Sequence, residues 1–188
     1  MCIRDSSLTT TETYDELLRL KVSRVSGSGV NRYQVFEYDY NNNTTFESFY
    51  SSSASESRGT RNSYDAIQRL KSSTVSGLGT TYLSYLADNK VITTNARGFD
   101  TTTTYRSFFR PNYDLALDII SPENVRTQIG YDQFSNIKSV SQSGDGISET
   151  EHRYYDTYNN LCLVTRNDIG NKRTSFNLLG ELNWSAQG

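Results

Sequence analysis

The sequence is poor in the residues on which most chemistry depends. Its 188 residues hold two cysteines, two prolines, one histidine, one methionine and one tryptophan. No zinc-type cysteine spacing exists. Setting Cys2 aside for reasons given below, Cys162 stands alone between Leu161 and Leu163 in a predicted strand. A lone strand cysteine is expected to be a small buried hydrophobe. A nucleophile would need an activating partner, and the one histidine, His152, lies ten residues upstream on the expected partner strand. No apolar run approaches ~18 residues, so no transmembrane helix is expected. Charge of either sign is not in excess: 19 Lys+Arg against 21 Asp+Glu leave −2. Nucleic acid is therefore not an expected partner. Helical periodicity is missing too. Residues 14–25 could be forced into a helix by Glu16-Leu17-Leu18-Arg19-Leu20, but the repeat described next outweighs that reading.

What is present is aromatic and turn-forming. Hydrophobic residues make up 35%, a fraction that alone is compatible with disorder. Fourteen tyrosines and regularly spaced turn signals argue instead for β structure with one wet face. The length is enough for an ordinary core. The clearest stretch is 167–182, NDIGNKRTSFNLLGEL, which reads turn, strand, turn, strand. In Phe176-Asn177-Leu178-Leu179-Gly180-Glu181-Leu182 an aromatic residue precedes an Asx, two free positions, a glycine, a polar residue and an aliphatic one. Asp or Asn opening a type I turn bonds its own backbone two residues on. Glycine in the fourth place accepts φ > 0, so the chain leaves through a bulge and pairs back on itself. The aromatic and aliphatic residues then flank one hairpin.

The same outline is anchored at Tyr14, Tyr38, Tyr64, Tyr85, Tyr105, Tyr131, Tyr155 and Phe176, at intervals of 20 to 26 residues. Such a period marks a repeat architecture. The next slot holds Asp15, Asp39, Asp65, Leu86, Arg106, Asp132, Asp156 and Asn177. The glycine slot holds Leu18, Asn42, Gln68, Asn89, Phe109, Ser135, Asn159 and Gly180. Asparagine and glycine suit it, and the other four residues do not. The last slot holds Leu20, Thr44, Leu70, Val91, Pro111, Ile137, Leu161 and Leu182. The copies at Tyr85 and Tyr105 are placed by spacing more than by residues.

The pattern resembles the YD repeat, or Rhs repeat, whose motif runs roughly Gly-x(n)-Tyr-x-Tyr-Asp-x-x-Gly-Arg-Leu. Tyr14-Asp15…Arg19-Leu20 and Tyr64-Asp65…Arg69-Leu70 fit it except at the glycine, and 176–182 supplies the glycine but has Phe-Asn for Tyr-Asp. The resemblance covers about residues 13–188. It implies an all-β fold: tandem antiparallel hairpins, about sixteen short strands, in a curved meander sheet that forms part of a hollow β-shell. Residues 7–188 would be one continuous array of about eight repeats, truncated at both ends. Polymorphic Rhs toxins, insecticidal toxin-complex shells and teneurins share this architecture. By that resemblance the chain would be a non-catalytic wall segment that encloses and delivers a C-terminal toxin or effector, secreted or on a bacterial surface. Its partners would be the remaining repeats and the enclosed polypeptide. Some such shells cleave themselves near a D-P-x-G-L-type motif. Neither Pro111 nor Pro122 follows an aspartate, so that end is not expected here.

Other segments fit around the array. Opposite turns are expected at Ser26-Gly27-Ser28-Gly29, Arg58-Gly59, Gly77-Leu78-Gly79, Ala96-Arg97-Gly98, Pro122-Glu123-Asn124, Gly144-Asp145-Gly146 and Asp168-Ile169-Gly170-Asn171. The serine-rich segment 51–57 reads as a flexible surface loop. Asn41-Asn42-Asn43 reads as turn chemistry more than as a glycan acceptor. Residues 1–6, MCIRDS, are what ATG TGT ATA AGA GAC AG(C/T) encodes, which resembles the end of a transposase adapter used in sequencing libraries. They are expected to be an assembly artefact, the alternative being a disordered natural N-terminus. They lack the apolar segment of a secretory signal.

Five motif aspartates could be imagined as metal ligands or as an acid–base set. Turn capping explains them better, because each opens its own turn and successive copies lie one hairpin apart. Calcium-type D-x-D clusters are absent. Arg19, Arg69 and Arg110 are expected to be solvated or paired with turn acids. No catalytic, cofactor-binding or metal site is expected. The motif positions Tyr14, Asp15, Tyr38, Asp39, Tyr64, Asp65, Tyr131, Asp132, Tyr155, Asp156, Phe176, Asn177 and Gly180 are read as structural. The rival reading is a cell-surface adhesive module whose tyrosine face binds glycans. Regular aromatic stripes more often pack across strands.

Overall fold

A computed structural model describes residues 8–168, 170–177 and 179–188. The six N-terminal residues read as an artefact, with Cys2, lie outside the described residues, as do Ile169 and Leu178 of two expected turns. The chain is all-β. Its strands are β1 (Thr9–Tyr14), β2 (Leu20–Gly27), β3 (Val30–Tyr38), β4 (Thr44–Ser48), β5 (Gly59–Tyr64), β6 (Leu70–Val75), β7 (Gly79–Leu86) and β8 (Lys90–Thr94). They continue as β9 (Asp100–Tyr105), β10 (Ala116–Ile120), β11 (Arg126–Tyr131), β12 (Ile137–Gly144), β13 (Ile147–Tyr155), β14 (Leu161–Arg166), β15 (Gly170–Phe176) and β16 (Leu182–Gln187). All sixteen lie in one open antiparallel sheet in the order of the sequence. Residues 14–25 form the end of β1, a turn and most of β2, and no helix occurs among the described residues.

The chain divides into two compact units. The first holds the described residues up to Ser84 together with Thr94–Gly98. Its buried centre is small: Phe46 and Ser48, each 2% exposed. The guanidinium of Arg61 lies over the Phe46 ring at 4.1 Å. Ser48 Oγ accepts the Val35 N–H at 2.8 Å and donates to the Phe49 carbonyl at 3.0 Å. β4 reaches only Phe36, Glu37 and Tyr38 of β3. Further along β3, Tyr33 bonds instead to Ser51, through N–H···O contacts of 2.7 and 3.0 Å. The first residue of the serine-rich segment is thus held against β3, while residues 52–55 form an exposed turn at the surface, as expected of a surface loop. Gly59 is not a turn residue: it opens β5, so close to β4 that a Cβ there would lie 2.2 Å from the Glu47 carbonyl oxygen.

The second unit holds Tyr85–Thr93 and Phe99–Gly188. Its buried hydrophobic residue is Val91, 4% exposed. Tyr105 pairs with Ala116, not with Pro111, and the Arg106 N–H donates to the Leu115 carbonyl at 2.8 Å. The last slot of that repeat is therefore Ala116, reached through a loop of residues 106–115. Tyr113 brings the loop back, with its ring edge-on to Tyr85 and Tyr105 at centroid distances of 5.2 and 5.5 Å.

The ordinary core expected from length is not built. Among the described residues only Phe46 and Val91 are buried hydrophobics. The physical reason is that a single sheet gives its side chains only strand neighbours to pack against, with no second layer laid over them. Stability falls to the hydrogen-bond ladder and to the turns.

Candidate functional site

Six hairpins carry one turn with the same backbone hydrogen bonds. At the first, the Leu18 N–H donates to the Asp15 carbonyl at 3.0 Å and the Asp15 N–H to the Arg19 carbonyl at 2.9 Å. Asp15 Oδ1 accepts the N–H groups of Leu17 and Arg19, both at 2.9 Å. Asp15 Oδ2 accepts Arg19 Nε at 2.7 Å. The backbone bonds recur at Asp39, Asp65, Asp132, Asp156 and Asn177. In each hairpin the aromatic anchor and the aliphatic slot face one another, as Tyr14↔Leu20, Tyr38↔Thr44, Tyr64↔Leu70, Tyr131↔Ile137, Tyr155↔Leu161 and Phe176↔Leu182. A bulge follows every one of these pairs.

The backbone at the glycine slot is left-handed in all eight copies, with φ of 60° at Leu18, 68° at Asn42, 66° at Gln68, 56° at Asn89, 63° at Phe109, 67° at Ser135, 69° at Asn159 and 79° at Gly180. Leu18, Gln68, Phe109 and Ser135 depart from the residue preference but not from the conformation. In the six regular turns the hydrogen-bonded ring holds the chain in that region against the Cβ penalty.

The residue four places after the Asx completes the turn, and its role goes beyond the motif's arginine. Arg69 pairs with Asp65 at 2.7 Å, as Arg19 does with Asp15. Where arginine is absent, the Nδ2 groups of Asn43, Asn136 and Asn160 donate to Asp39, Asp132 and Asp156 at 2.9, 2.9 and 3.2 Å. In the last turn the direction reverses, and Asn177 Nδ2 donates to Glu181 at 2.7 Å. All five aspartates are consequently held below the ordinary carboxylate range. The main cause is the backbone N–H of Arg19, Arg69 or Asn160 for Asp15, Asp65 and Asp156. For Asp39 and Asp132 it is the side-chain amide of Asn43 or Asn136. Partial desolvation opposes these bonds without overcoming them.

The anchors also tie successive hairpins together. The hydroxyl of Tyr38 donates to the Leu20 carbonyl at 2.9 Å, that of Tyr64 to Thr44 at 3.0 Å, that of Tyr131 to Ala116 at 2.9 Å and that of Tyr155 to Ile137 at 3.0 Å. Each acceptor is the last-slot residue of the preceding repeat. Phe176 has no hydroxyl, and Thr174 Oγ1 takes its place, donating to Leu161 at 2.5 Å. Arg19 makes a second tie, with one nitrogen 2.8 Å from the Asp39 carbonyl and its guanidinium 4.7 Å above the Tyr38 ring. Sequence reasoning missed these ties because their acceptors are backbone groups.

The two irregular copies lack this turn. After Tyr85 the chain reverses through Asp88 and Asn89, both left-handed, as in a two-residue type I′ turn. Asn89 Nδ2 then donates to the carbonyls of Tyr105 and Asn112, at 3.1 and 2.7 Å. The motif geometry moves instead to the opposite turns nearby. The Arg97 N–H donates to Asn95 Oδ1 and the Gly98 N–H to the Asn95 carbonyl, both at 2.9 Å. Ser121 takes the same place ahead of left-handed Asn124.

The other candidate residues are not assembled into a reactive group. Cys162 lies in β14 as expected but is half-exposed, not buried, because it is the extra residue of the bulge between the Tyr154↔Leu163 and Tyr155↔Leu161 pairs. Its thiol donates to the Tyr154 carbonyl at 3.3 Å. His152 is registered against Ser139 and Thr165, not against Cys162. Among the described residues no three His, Cys, Asp or Glu side chains are placed to share a metal ion. No helix there is long and apolar enough to cross a membrane.

No known family matches the sequence, and no curated protein matches it. Solved structures do. A TcdB2–TccC3 complex is 14% identical, with a TM-score of 0.54, over 94% of this chain and 12% of that one. A Tc holotoxin pore of Photorhabdus luminescens is 12% identical, with a TM-score of 0.55, over 95% of this chain and 12% of that one. A TcdB2–TccC3 structure without its hypervariable C-terminal region gives 11% identity and a TM-score of 0.51, over 95% and 9%. At these identities the likeness is one of fold. The chain spans about an eighth of the first two structures it resembles.

Proposed function

We propose that this chain is a non-catalytic wall segment of a YD-repeat shell that encloses and delivers a toxin or effector polypeptide. The observation that carries the reading is how the motif residues are used. Anchor tyrosines tie one hairpin to the one before, aspartates close the turns, and the fourth residue after each aspartate saturates the second carboxylate oxygen. A sequence that spends its repeated polar residues on extending a sheet is built as scaffold. The fold shared with toxin-complex structures supports the same reading, and the role itself is carried over by analogy of fold. The partners would be further repeats and the enclosed polypeptide, and the setting secreted or at the cell surface. The glycan-binding rival gains nothing from the anchors, since four motif tyrosines are half-buried and use their hydroxyls within the sheet.

The test is recovery of the full reading frame on both sides by long sequencing reads. The proposal expects many more repeats and an unrelated C-terminal domain beyond them. A frame closing with no further repeats leaves no container to build and overturns it.

A further inference from the structure

The loop of residues 106–115 is longer than its hairpin needs, and it holds its tip out in solvent. Its base is fixed by the Arg106–Leu115 backbone bond, by the Asn89 amide on the Asn112 carbonyl at 2.7 Å, and by the Tyr113 ring against Tyr85 and Tyr105. Asn112 Oδ1 also accepts the Asp114 N–H at 2.7 Å. The tip is a tight reversal. The Arg110 N–H donates to the Phe108 carbonyl at 2.7 Å across Phe109, whose φ is 63°, as in a γ-turn. Ser107 Oγ closes the reversal by donating to the Arg110 carbonyl at 2.7 Å. Phe109 is thereby presented at 107% exposure, with Phe108 beside it at 67%. A phenylalanine held left-handed and wholly in water gives the fold no burial in return, which points to a use outside the fold.

We propose that this loop docks on an anionic lipid surface, with Phe109 as the inserted residue. Charge and area select the occupant. Arg106 and Arg110 flank the two phenylalanines. Seven other arginines are paired with carboxylates, but among the described residues these two form no ion pair. The Arg106 guanidinium lies over the Phe108 ring instead, 4.8 Å from its centre. The loop's one acid, Asp114, stands at its base, and residues 106–113 include none. The chain as a whole carries −2, so the attraction is local to the tip. A folded protein partner would need about 800 Å² from this side, whereas two phenylalanines offer about 150–250 Å² each. A bilayer interface takes an isolated apolar knob without a matching pocket and favours cations at the headgroup level. Such docking does not depend on whether the sheet encloses anything.

The test sediments the whole chain with sucrose-loaded vesicles of phosphatidylcholine, with and without a quarter of phosphatidylglycerol. Soluble polyglutamate and glycerol phosphate serve as competitors. Saturable binding to the anionic vesicles is expected, several-fold weaker on the neutral ones and falling as salt rises. Phe109→Ser should weaken it by roughly tenfold and Arg110→Gln by roughly fivefold. Phe109→Trp, placed in a Trp184→Phe background, should lose emission to brominated lipid. Phe109 and Arg110 are both exposed, so circular dichroism should show the variants folded, and the comparison of vesicle compositions needs no variant. No binding, equal binding to neutral vesicles, or indifference to both substitutions would overturn the proposal. So would an unquenched tryptophan at position 109, or displacement by glycerol phosphate or by polyglutamate, the last marking the tip as a site for an acidic protein.

Discussion

Leu18→Gly tests the register at its least glycine-like position. Leu18 has φ of 60° and is 84% exposed. Holding a non-glycine residue in the left-handed region costs about 1–2 kcal/mol. Glycine relieves that cost but gives back about 0.5–1 kcal/mol through the greater freedom of the unfolded chain. The leucine side chain contributes little burial to lose. The net is a gain between zero and about 1.5 kcal/mol. Gln68→Gly and Ser135→Gly, at 66° and 67° in identical rings, should behave alike. The three turns lie in separate hairpins, so their effects should add. Urea unfolding followed by tyrosine fluorescence gives the midpoints. A triple variant as stable as the parent or more so is expected. A loss of several kcal/mol at Leu18 alone would mean that its side chain is packed and that the turn is drawn wrongly.

Other consequences follow from the same geometry. Tyr155→Phe removes the hydroxyl tie to Ile137, and Thr174→Val removes its counterpart to Leu161; each should cost about 0.5–1.5 kcal/mol by urea unfolding, and no loss in either would show that the ties are incidental. Gly59→Ala sets a Cβ 2.2 Å from the Glu47 carbonyl oxygen and should cost about 1–3 kcal/mol as the strands part; an unchanged midpoint would refute that close approach. The five turn aspartates bind protons less readily when folded than when unfolded. Their contribution to stability is therefore whole above their ordinary value of about 3.9 and is lost as pH falls through the lower folded values. Urea midpoints should hold from neutrality to about pH 5 and fall steadily below about pH 4, and midpoints level down to pH 2 would contradict the capping role.

Much of this was legible in the sequence, for reasons that show where legibility ends. The pairing of Tyr14 with Leu20 and of Phe176 with Leu182 follows from turn length and bulge alone, so spacing finds it. The conformation at Leu18, Gln68 and Ser135 is less visible, because the ring of backbone bonds enforces what the side chain disfavours. Spacing misled at Pro111, since a ten-residue loop pinned by Tyr113 stands where five residues would serve. Nothing in the composition announced that Asn95 and Ser121 would carry the motif geometry on the other side, although Asn95-Ala96-Arg97-Gly98 does have the Asx-x-x-Gly spacing. The tyrosine ties were hidden because a carbonyl acceptor has no residue identity. The small core was hidden because burial depends on a second layer, which a hydrophobic count cannot reveal.

The central claim is that this sheet is a wall segment of a shell. Cryo-electron microscopy of the complete polypeptide that contains it tests this most directly. The account predicts these sixteen strands within a continuous hairpin strip around a cavity, with density for a further polypeptide segment inside. A sheet packed on both faces by folded domains, with no enclosed space, would contradict it.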